Sequence, residues 1–216
     1  MFRNNLRPHL AVYFVMDLQE IQGRSALETA RAALEGGITM LQLREKKAPI
    51  PQVLEQGRAI RGLCREYGVP FVVNDRVDLA LLLDADGIHV GQDDIPGRLV
   101  RKLVGEQMFI GISASSPEEA RVAMTEGADY LGVGAIYATR TKGDAGAPIG
   151  TSLIESIRSE RPDMPMVGIG GIDRTNLEPV IRSGADGVAV VSAIAAQADP
   201  KQAAAELREA VRRAAG

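Results

Sequence analysis

The chain has 216 residues, of which 45% are hydrophobic and 25% charged, so it can bury a sizeable core. At roughly 150 residues per domain this length allows one or two domains, and a single α/β barrel also fits it. With 25 basic and 28 acidic side chains the net charge is −3, and aromatic residues make up only 4%. These values argue against a nucleic-acid-binding surface, which needs a basic face or aromatic stacking platforms.

Cys64 is the only cysteine, and His9 and His89 are the only histidines. An intramolecular disulfide and a Cys/His zinc site are therefore excluded, and Cys64 is expected in the core. No apolar run approaches the roughly 18 residues of a membrane span, and the first ten residues contain no apolar signal-peptide region. We therefore expect a cytoplasmic protein that binds neither a membrane nor nucleic acid.

A unit made of a short β-branched apolar run and an amphipathic helical stretch repeats along the chain. The apolar runs, which predict strands, lie at 10–16, 39–43, 70–73, 87–90, 108–113, 129–137, 164–172 and 187–194. Stretches with helical periodicity lie at 25–36, 50–67, 76–84, 96–106, 117–127, 151–160, 175–183 and 200–214. Local signals support the helices: Ser116 before Pro117 is a predicted N-cap, and Gly127 stands where the same helix should end.

Alternating strands and helices with nearly continuous apolar strands predict a parallel sheet covered by helices. Eight such units in 216 residues predict an α/β fold, the (β/α)8 TIM barrel, with residues 1–216 forming one catalytic domain. The alternative, a doubly wound open sheet, would carry a phosphate-binding fingerprint in its first βα turn. Residues 16–19, Met-Asp-Leu-Gln, are not such a fingerprint.

The chemistry of such barrels lies at the carboxyl ends of the strands, and the second strand ends in basic residues. Side chains alternate between the two faces of a strand, so Leu41 and Leu43 point to one side and Gln42, Arg44 and Lys46 to the other. If the leucines pack on the helices, an arginine and a lysine enter the barrel mouth together. An inward basic pair of this kind predicts an anionic ligand.

Carboxylates follow the next two strands. Asp75 and Asp94 could each merely cap the following helix. Taken together, beside a basic pair, they predict Mg²⁺ bridging a polyphosphate, because Mg²⁺ binds through one or two carboxylates and substrate phosphate oxygens. His89 lies on the strand face opposite Ile88 and Val90, and we expect it to point into the barrel as a packing residue or a ligand.

The later strand ends offer hydroxyls and glycines. Ser113 is a candidate hydrogen-bond donor, and Gly132 with Gly134 would clear volume for a ligand. The loop at 138–146 combines two threonines, a lysine and several glycines, which suits closure over phosphates. Glycines at 168–171 follow the seventh strand, where backbone N–H groups form a recurrent phosphate site in this fold.

Five motifs, in chain order, resemble the thiamine-phosphate synthase family. They are 42–46 (QLREK), 73–76 (VNDR), 87–94 (GIHVGQDD), 139–145 (TRTKGDA) and 168–172 (GIGGI). The resemblance implies a TIM-barrel transferase that joins hydroxymethylpyrimidine diphosphate to a thiazole phosphate, with or without a carboxyl group. The products would be thiamine phosphate and pyrophosphate, formed after Mg²⁺-assisted dissociative departure of the diphosphate.

The resemblance also implies roles for individual residues. The pyrimidine diphosphate would be held by Gln42, Arg44, Lys46, Asn74, Ser113 and Lys142. The thiazole phosphate would be held by Thr139, Arg140, Thr141, Gly171, Val191 and Ser192. The Mg²⁺ cofactor would be bound by Asp75 and Asp94, and the catalytic residues would be Arg44, Ser113 and Lys142.

Other functions remain open at this point. The thiazole tautomerase paralogue shares the barrel and the phosphate glycines, but it generally lacks the Thr-x-Thr-Lys sequence found here at 139–142. A catalytically silent barrel that binds thiamine phosphates would differ from an enzyme by lacking Mg²⁺-dependent turnover. Other phosphate-site barrels, such as an indole- or pentulose-phosphate enzyme, would not require the pair Asp75 and Asp94. Exposed barrel helices often pair, which leaves a homo-oligomer open.

Overall fold

The protein folds as a closed barrel of parallel strands in chain order. The structure, a computed structural model, describes residues 2–139 and 146–216. The strands are β1 (Val12–Met16), β2 (Met40–Leu43), β3 (Phe71–Asn74), β4 (Gly87–Val90), β5 (Phe109–Ala114), β6 (Tyr130–Val133), β7 (Met166–Ile169) and β8 (Gly187–Val190). Each strand pairs with the next, and β8 pairs with β1. The predicted (β/α)8 TIM barrel is therefore confirmed.

Helices follow the strands and cover the outside of the sheet. They are α1 (Ala26–Glu35), α2 (Ile50–Glu66), α3 (Val77–Leu82), α4 (Gly97–Val104), α5 (Pro117–Thr125), α6 (Ser152–Glu160), α7 (Leu177–Arg182), α8 (Ser192–Ala195) and α9 (Pro200–Ala214). The predicted N-cap is present, because the Ser116 hydroxyl accepts a hydrogen bond from the Glu119 N–H at 3.2 Å. Gly127 has φ +88°, as expected for a glycine that ends a helix.

Two hydrophobic cores result from the alternation of side chains along the strands. The outer core lies between sheet and helices and contains Leu41, Leu43 and Cys64. The inner core fills the barrel with Tyr13, Val15, Met40, Val72, Phe109, Tyr130, Val167 and Ala189. Leu6, which lies between two short 3-10 turns near the start of the chain, and Leu10, which ends the second turn, also belong to this core. Within the described residues, no helix combines the length and the apolar character needed to cross a bilayer.

Three strands are much shorter than the apolar runs predict. The run at 164–172 gives a strand only over Met166–Ile169. The run at 129–137 gives a strand only as far as Val133. Beyond it the Ile136 and Tyr137 N–H groups bond to the carbonyls of Ile169 and Gly170, which draws the chain across the end of β7. The run at 187–194 gives a strand to Val190, because α8 begins two residues later. Apolar composition does not distinguish a buried strand from a short buried helix.

A repeated ionic arrangement, which we call the amino-end clamps, holds the start of the barrel. An aspartate directly before an even-numbered strand accepts a hydrogen bond from a backbone N–H at or near the start of the preceding strand and pairs with an arginine. The three clamps are Asp86 with Phe71 N–H (2.9 Å) and Arg61 (3.0 Å), Asp129 with Ile110 N–H (2.8 Å) and Arg101, and Asp186 with Met166 N–H (2.9 Å) and Arg158 (3.0 Å). Before β2, the Thr39 hydroxyl accepts from the Val12 N–H in the same way at 2.9 Å.

Candidate functional site

A cavity of about 760 Å³ opens at the carboxyl end of the barrel. Every strand contributes to its wall, and so do the loops that follow the strands. The described residues that the sequence predicted for substrate or metal binding all line it: Gln42, Arg44, Lys46, Asn74, Asp75, Asp94, Ser113, Thr139, Gly171, Val191 and Ser192. The other three predicted residues, Arg140, Thr141 and Lys142, lie outside the described residues.

The basic residues after β2 reach the cavity as the alternation of faces predicts. Leu41 and Leu43 are buried in the outer core, whereas the Gln42 side chain faces the interior and is only 4% exposed. Arg44 and Lys46 follow in the loop and line the same cavity. The Lys46 Nζ atom lies 3.1 Å from the Asp75 Oδ2 atom, so the cation and the carboxylate meet at the barrel mouth.

Asp75 and Asp94 do not cap the helices that follow them. The N-cap positions of α3 and α4 are Arg76 and Pro96, and neither helix has a side-chain cap. The Asp75 backbone has φ +59°, a left-handed conformation that aspartate tolerates, and its N–H donates to the carbonyl of His89 at 2.8 Å. This hydrogen bond ties the end of β3 to β4 and leaves the side chain in the cavity.

The two carboxylates are neighbours. Burial raises the pKa of Asp75 above its ordinary value, and the neighbouring Asp94 carboxylate raises it further, while Lys46 opposes both effects. The Asp94 Oδ2 atom accepts a hydrogen bond from the Gly91 N–H at 2.7 Å, which fixes that side chain. A cluster of this kind, two partly buried carboxylates side by side, favours a cation.

The glycine-rich side of the cavity lies at β6, β7 and β8, across the barrel from β3. Gly171 has φ +64°, and a Cβ atom there would lie 2.5 Å from the Ala138 carbonyl oxygen, so no larger residue fits. Val191 and Ser192 follow the adjacent strand, and Thr139 lies in the loop after β6. Among the residues that the structure describes, this wall therefore brings backbone and hydroxyl groups, rather than cations, to the cavity.

Gly132, in β6, and Gly134, directly after it, do not leave empty space for a ligand. A Cβ on Gly132 would lie 3.0 Å from the His89 ring, and one on Gly134 would lie 2.1 Å from the Ile169 carbonyl oxygen. The room that the sequence analysis assigned to a ligand is thus occupied by an imidazole and by a neighbouring strand end, although both glycines still border the cavity.

Five polar side chains form a connected group inside the barrel, which we call the interior network. Its members, in order of contact, are Gln42, Tyr13, Tyr130, His89 and Ser113. His89 points inward, as the alternation of faces predicted. Tyr13 and Tyr130 were not predicted as site residues from the sequence, although their inward strand positions were a signal, since a buried tyrosine hydroxyl usually finds a partner.

Comparison with known proteins identifies the family. The sequence model of the family described as thiamine monophosphate synthase matches residues 12–194. A thiamine-phosphate synthase from Moorella thermoacetica is 50% identical over 209 residues, which covers 97% of this chain and 99% of the relative. One from Geobacillus thermodenitrificans is 48% identical, with 97% and 95% covered.

A solved structure supports the same family. The thiamine phosphate pyrophosphorylase from Pyrococcus furiosus superposes with a TM-score of 0.88 at 40% identity and covers 98% of this chain and 100% of its own. These similarities span the barrel and the loops that line the cavity. The chain therefore belongs to the thiamine monophosphate synthase family and is an enzyme of the transferase class.

Proposed function

We propose that this enzyme condenses hydroxymethylpyrimidine diphosphate with a thiazole phosphate to form thiamine phosphate and pyrophosphate. One observation carries the proposal: the described residues that the family resemblance assigns to two substrates and a metal line one cavity. Family membership supports the same reaction. The roles of Arg140, Thr141 and Lys142 rest on the resemblance alone.

The basic side of the cavity would bind and stabilise the diphosphate. In the reaction, the bond between the methylene carbon and the diphosphate oxygen breaks, and its electron pair leaves with the oxygen. Arg44, Lys46 and Lys142 would hold positive charge where that negative charge develops, which is the largest contribution of many active sites. Ser113 would donate a hydrogen bond to the same group.

The carboxylate pair fits Mg²⁺. Asp75 and Asp94 are close enough to raise the pKa of Asp75, so a cation between them would relieve their repulsion. Mg²⁺ commonly binds through one or two carboxylates and completes its coordination with water and substrate phosphate. When bound, it would supply neutralising charge for the departing diphosphate. In the structure the Lys46 Nζ atom lies 3.1 Å from the Asp75 Oδ2 atom, so Lys46 offsets part of the charge of the carboxylate pair.

The opposite wall would hold the acceptor. Thr139, Gly171, Val191 and Ser192 lie at the ends of β6, β7 and β8, across an eight-stranded barrel from β3. A phosphate anchored there would aim the thiazole nitrogen across the cavity at the methylene carbon. After the diphosphate departs, the electron-rich aminopyrimidine would stabilise the cationic carbon until the thiazole nitrogen forms the new C–N bond. This chemistry requires little acid–base work from the protein.

The test is pyrophosphate release by the purified enzyme, measured first with Mg²⁺ and then with excess chelator. We expect release that requires Mg²⁺ and both substrates, accompanied by an equal amount of thiamine phosphate. Each substrate alone is the control. Release from the pyrimidine diphosphate alone would indicate a hydrolase, and silence under all conditions would contradict the proposal and direct the next assay to isomerisation of the thiazole.

A further inference from the structure

The interior network crosses the barrel from one predicted substrate contact to another. The Gln42 Nε2 atom donates to the Tyr13 hydroxyl at 2.5 Å, and the two tyrosine hydroxyls lie 2.8 Å apart. The Tyr130 hydroxyl lies 2.8 Å from His89 Nδ1, and His89 Nε2 lies 3.0 Å from the Ser113 Oγ atom. Five strands supply these five side chains, and none of the three central ones has a role in the reaction as proposed above.

Glycines make room for the central members. A Cβ atom on Gly111 would lie 2.1 Å from the Tyr130 ring, and one on Gly132 would lie 3.0 Å from the His89 ring. Any side chain at the first position would displace Tyr130. The neighbouring strands are therefore shaped around the network, and Tyr13 and Tyr130 are almost fully buried, at 1% and 0% exposure.

Each link can carry only one proton, so the network has a direction. A phenol or serine hydroxyl donates one hydrogen bond, and a neutral imidazole donates from one nitrogen and accepts at the other. With Gln42 donating to Tyr13, the proton of Tyr13 is directed to Tyr130 and that of Tyr130 to His89 Nδ1. His89 Nε2–H then donates to Ser113, whose own proton is left for the cavity.

The reverse direction would have the opposite effect at both ends. Ser113 would donate its hydrogen bond to His89 and present only lone pairs to the cavity. Such an arrangement disfavours binding of an anion. At the other end Gln42 would turn its carboxamide oxygen to Tyr13 and its NH2 group to the cavity. The two ends are thus coupled through shared protons.

We infer that His89, Tyr130 and Tyr13 are positioning residues that couple diphosphate binding at Ser113 to selection of a hydrogen-bond donor on the pyrimidine ring at Gln42. An anion bound at Ser113 selects the direction of the network in which the Gln42 carboxamide oxygen faces the cavity. Because that oxygen accepts hydrogen bonds, it favours a pyrimidine ring that bears an amino group over one that bears a carbonyl. The inference rests on the proposed function, because it takes the substrate contacts of Gln42 and Ser113 from it.

The first experiment measures discrimination between two substrates, the 4-aminopyrimidine diphosphate and its 4-oxo analogue. We expect Tyr13→Phe and Tyr130→Phe to lower the ratio of their kcat/KM values by about tenfold, the scale of one hydrogen bond, because Gln42 is then released to turn. A purely structural defect would lower both kcat/KM values equally. Tyr67→Phe, at an exposed position, is the matched control and should keep the wild-type ratio.

The second experiment reads the direction itself. The chain has only two histidines, so ¹⁵N NMR of a His9→Gln variant reports His89 alone. We expect the Nε2–H tautomer in the free protein, retained when Mg²⁺ and inorganic pyrophosphate are added. An Nδ1–H tautomer, or an unchanged substrate ratio in both folded tyrosine variants, would overturn the inference. If the wild type turns over neither pyrimidine, the proposed function fails, while the tautomer still decides the direction.

Discussion

The two ends of the barrel use the same residue type in opposite ways. At the amino end each aspartate of the clamps meets an arginine and a backbone N–H, as Asp129 does with Arg101 and Ile110. At the carboxyl end Asp75 and Asp94 meet each other, with Lys46 as the one cation that pairs with either among the described residues. Carboxylates with arginine partners stabilise the fold, whereas adjacent carboxylates are held at a cost in stability.

The difference assigns the two ends different roles. Burial raises the pKa of Asp86 in a clamp, just as it raises that of Asp75, but Phe71 N–H and Arg61 then act to lower it. For Asp75 the next largest influence, Asp94, raises the pKa again. A site that keeps like charges together is organised for a ligand, in agreement with the position of chemistry in this fold.

The largest expected effect concerns the carboxyl end. Lys142→Ala should lower turnover by about 10²–10³-fold, the usual scale for loss of one group that stabilises developing charge. The free energy of unfolding, measured by urea denaturation, should stay within experimental error of wild type. Lys102→Ala on the exposed face of α4 is the control. An unchanged rate would remove Lys142 from the mechanism.

The opposite result is expected at the amino end, where a substitution should lower stability and leave turnover unchanged. Asp129→Ala leaves Arg3, Arg101 and the Ile110 N–H without their shared acceptor, and should lower the free energy of unfolding by about 3 kcal/mol. Turnover per folded molecule should not change. Glu118→Ala breaks an exposed pair with Arg121 and should cost less than about 1 kcal/mol. Equal losses in the two variants would refute a stabilising role for the clamp.

A smaller effect on stability should have opposite signs at the two ends, because loss of a carboxylate charge at the carboxyl end should stabilise the fold. Asp94→Asn keeps an oxygen to accept the Gly91 N–H but removes the charge beside Asp75. Without Mg²⁺ it should raise the free energy of unfolding by about 1 kcal/mol, the scale of two unit charges at contact in water. Added Mg²⁺ should stabilise the wild type more than the variant. A variant less stable than wild type without Mg²⁺ would show that the pair is not repulsive.

The smallest expected effect concerns the outer core, where a thiol reagent should not reach Cys64 in the folded protein. Burial raises the pKa of Cys64 to about 12, so almost none of the thiol is ionised at pH 8. Because the thiolate is the reactive form, a thiol reagent should leave the native enzyme fully active and modify Cys64 only as fast as the protein unfolds. Rapid labelling of the native enzyme would indicate that α2 opens locally.

Much of the fold and site could be predicted because the signals are local. Period-two alternation placed Gln42 and His89 inward, and the Ser116-Pro117 pair marked the start of α5. The polar residues after β2 to β5 were informative because parallel strands bring their carboxyl ends together.

The remainder depends on contacts between distant residues. The hydroxyls of Tyr13 and Tyr130 bond to each other across 117 positions in sequence, and no pattern along either strand encodes that pairing. The clamps similarly join an aspartate to an arginine about 25 residues earlier, as in Arg61 and Asp86. A homo-oligomer and a cytoplasmic location stay predictions.

The most direct measurement compares thiamine phosphate formation by the wild type and by the Asp75→Asn, Asp94→Asn double variant at equal concentrations of folded protein. The wild type should form thiamine phosphate and pyrophosphate in equal amounts with Mg²⁺. The double variant should be slower by about 10²-fold or more while its free energy of unfolding is equal or higher. Undiminished turnover in the variant, or no product from the wild type, would contradict the assignment of this end of the barrel to catalysis.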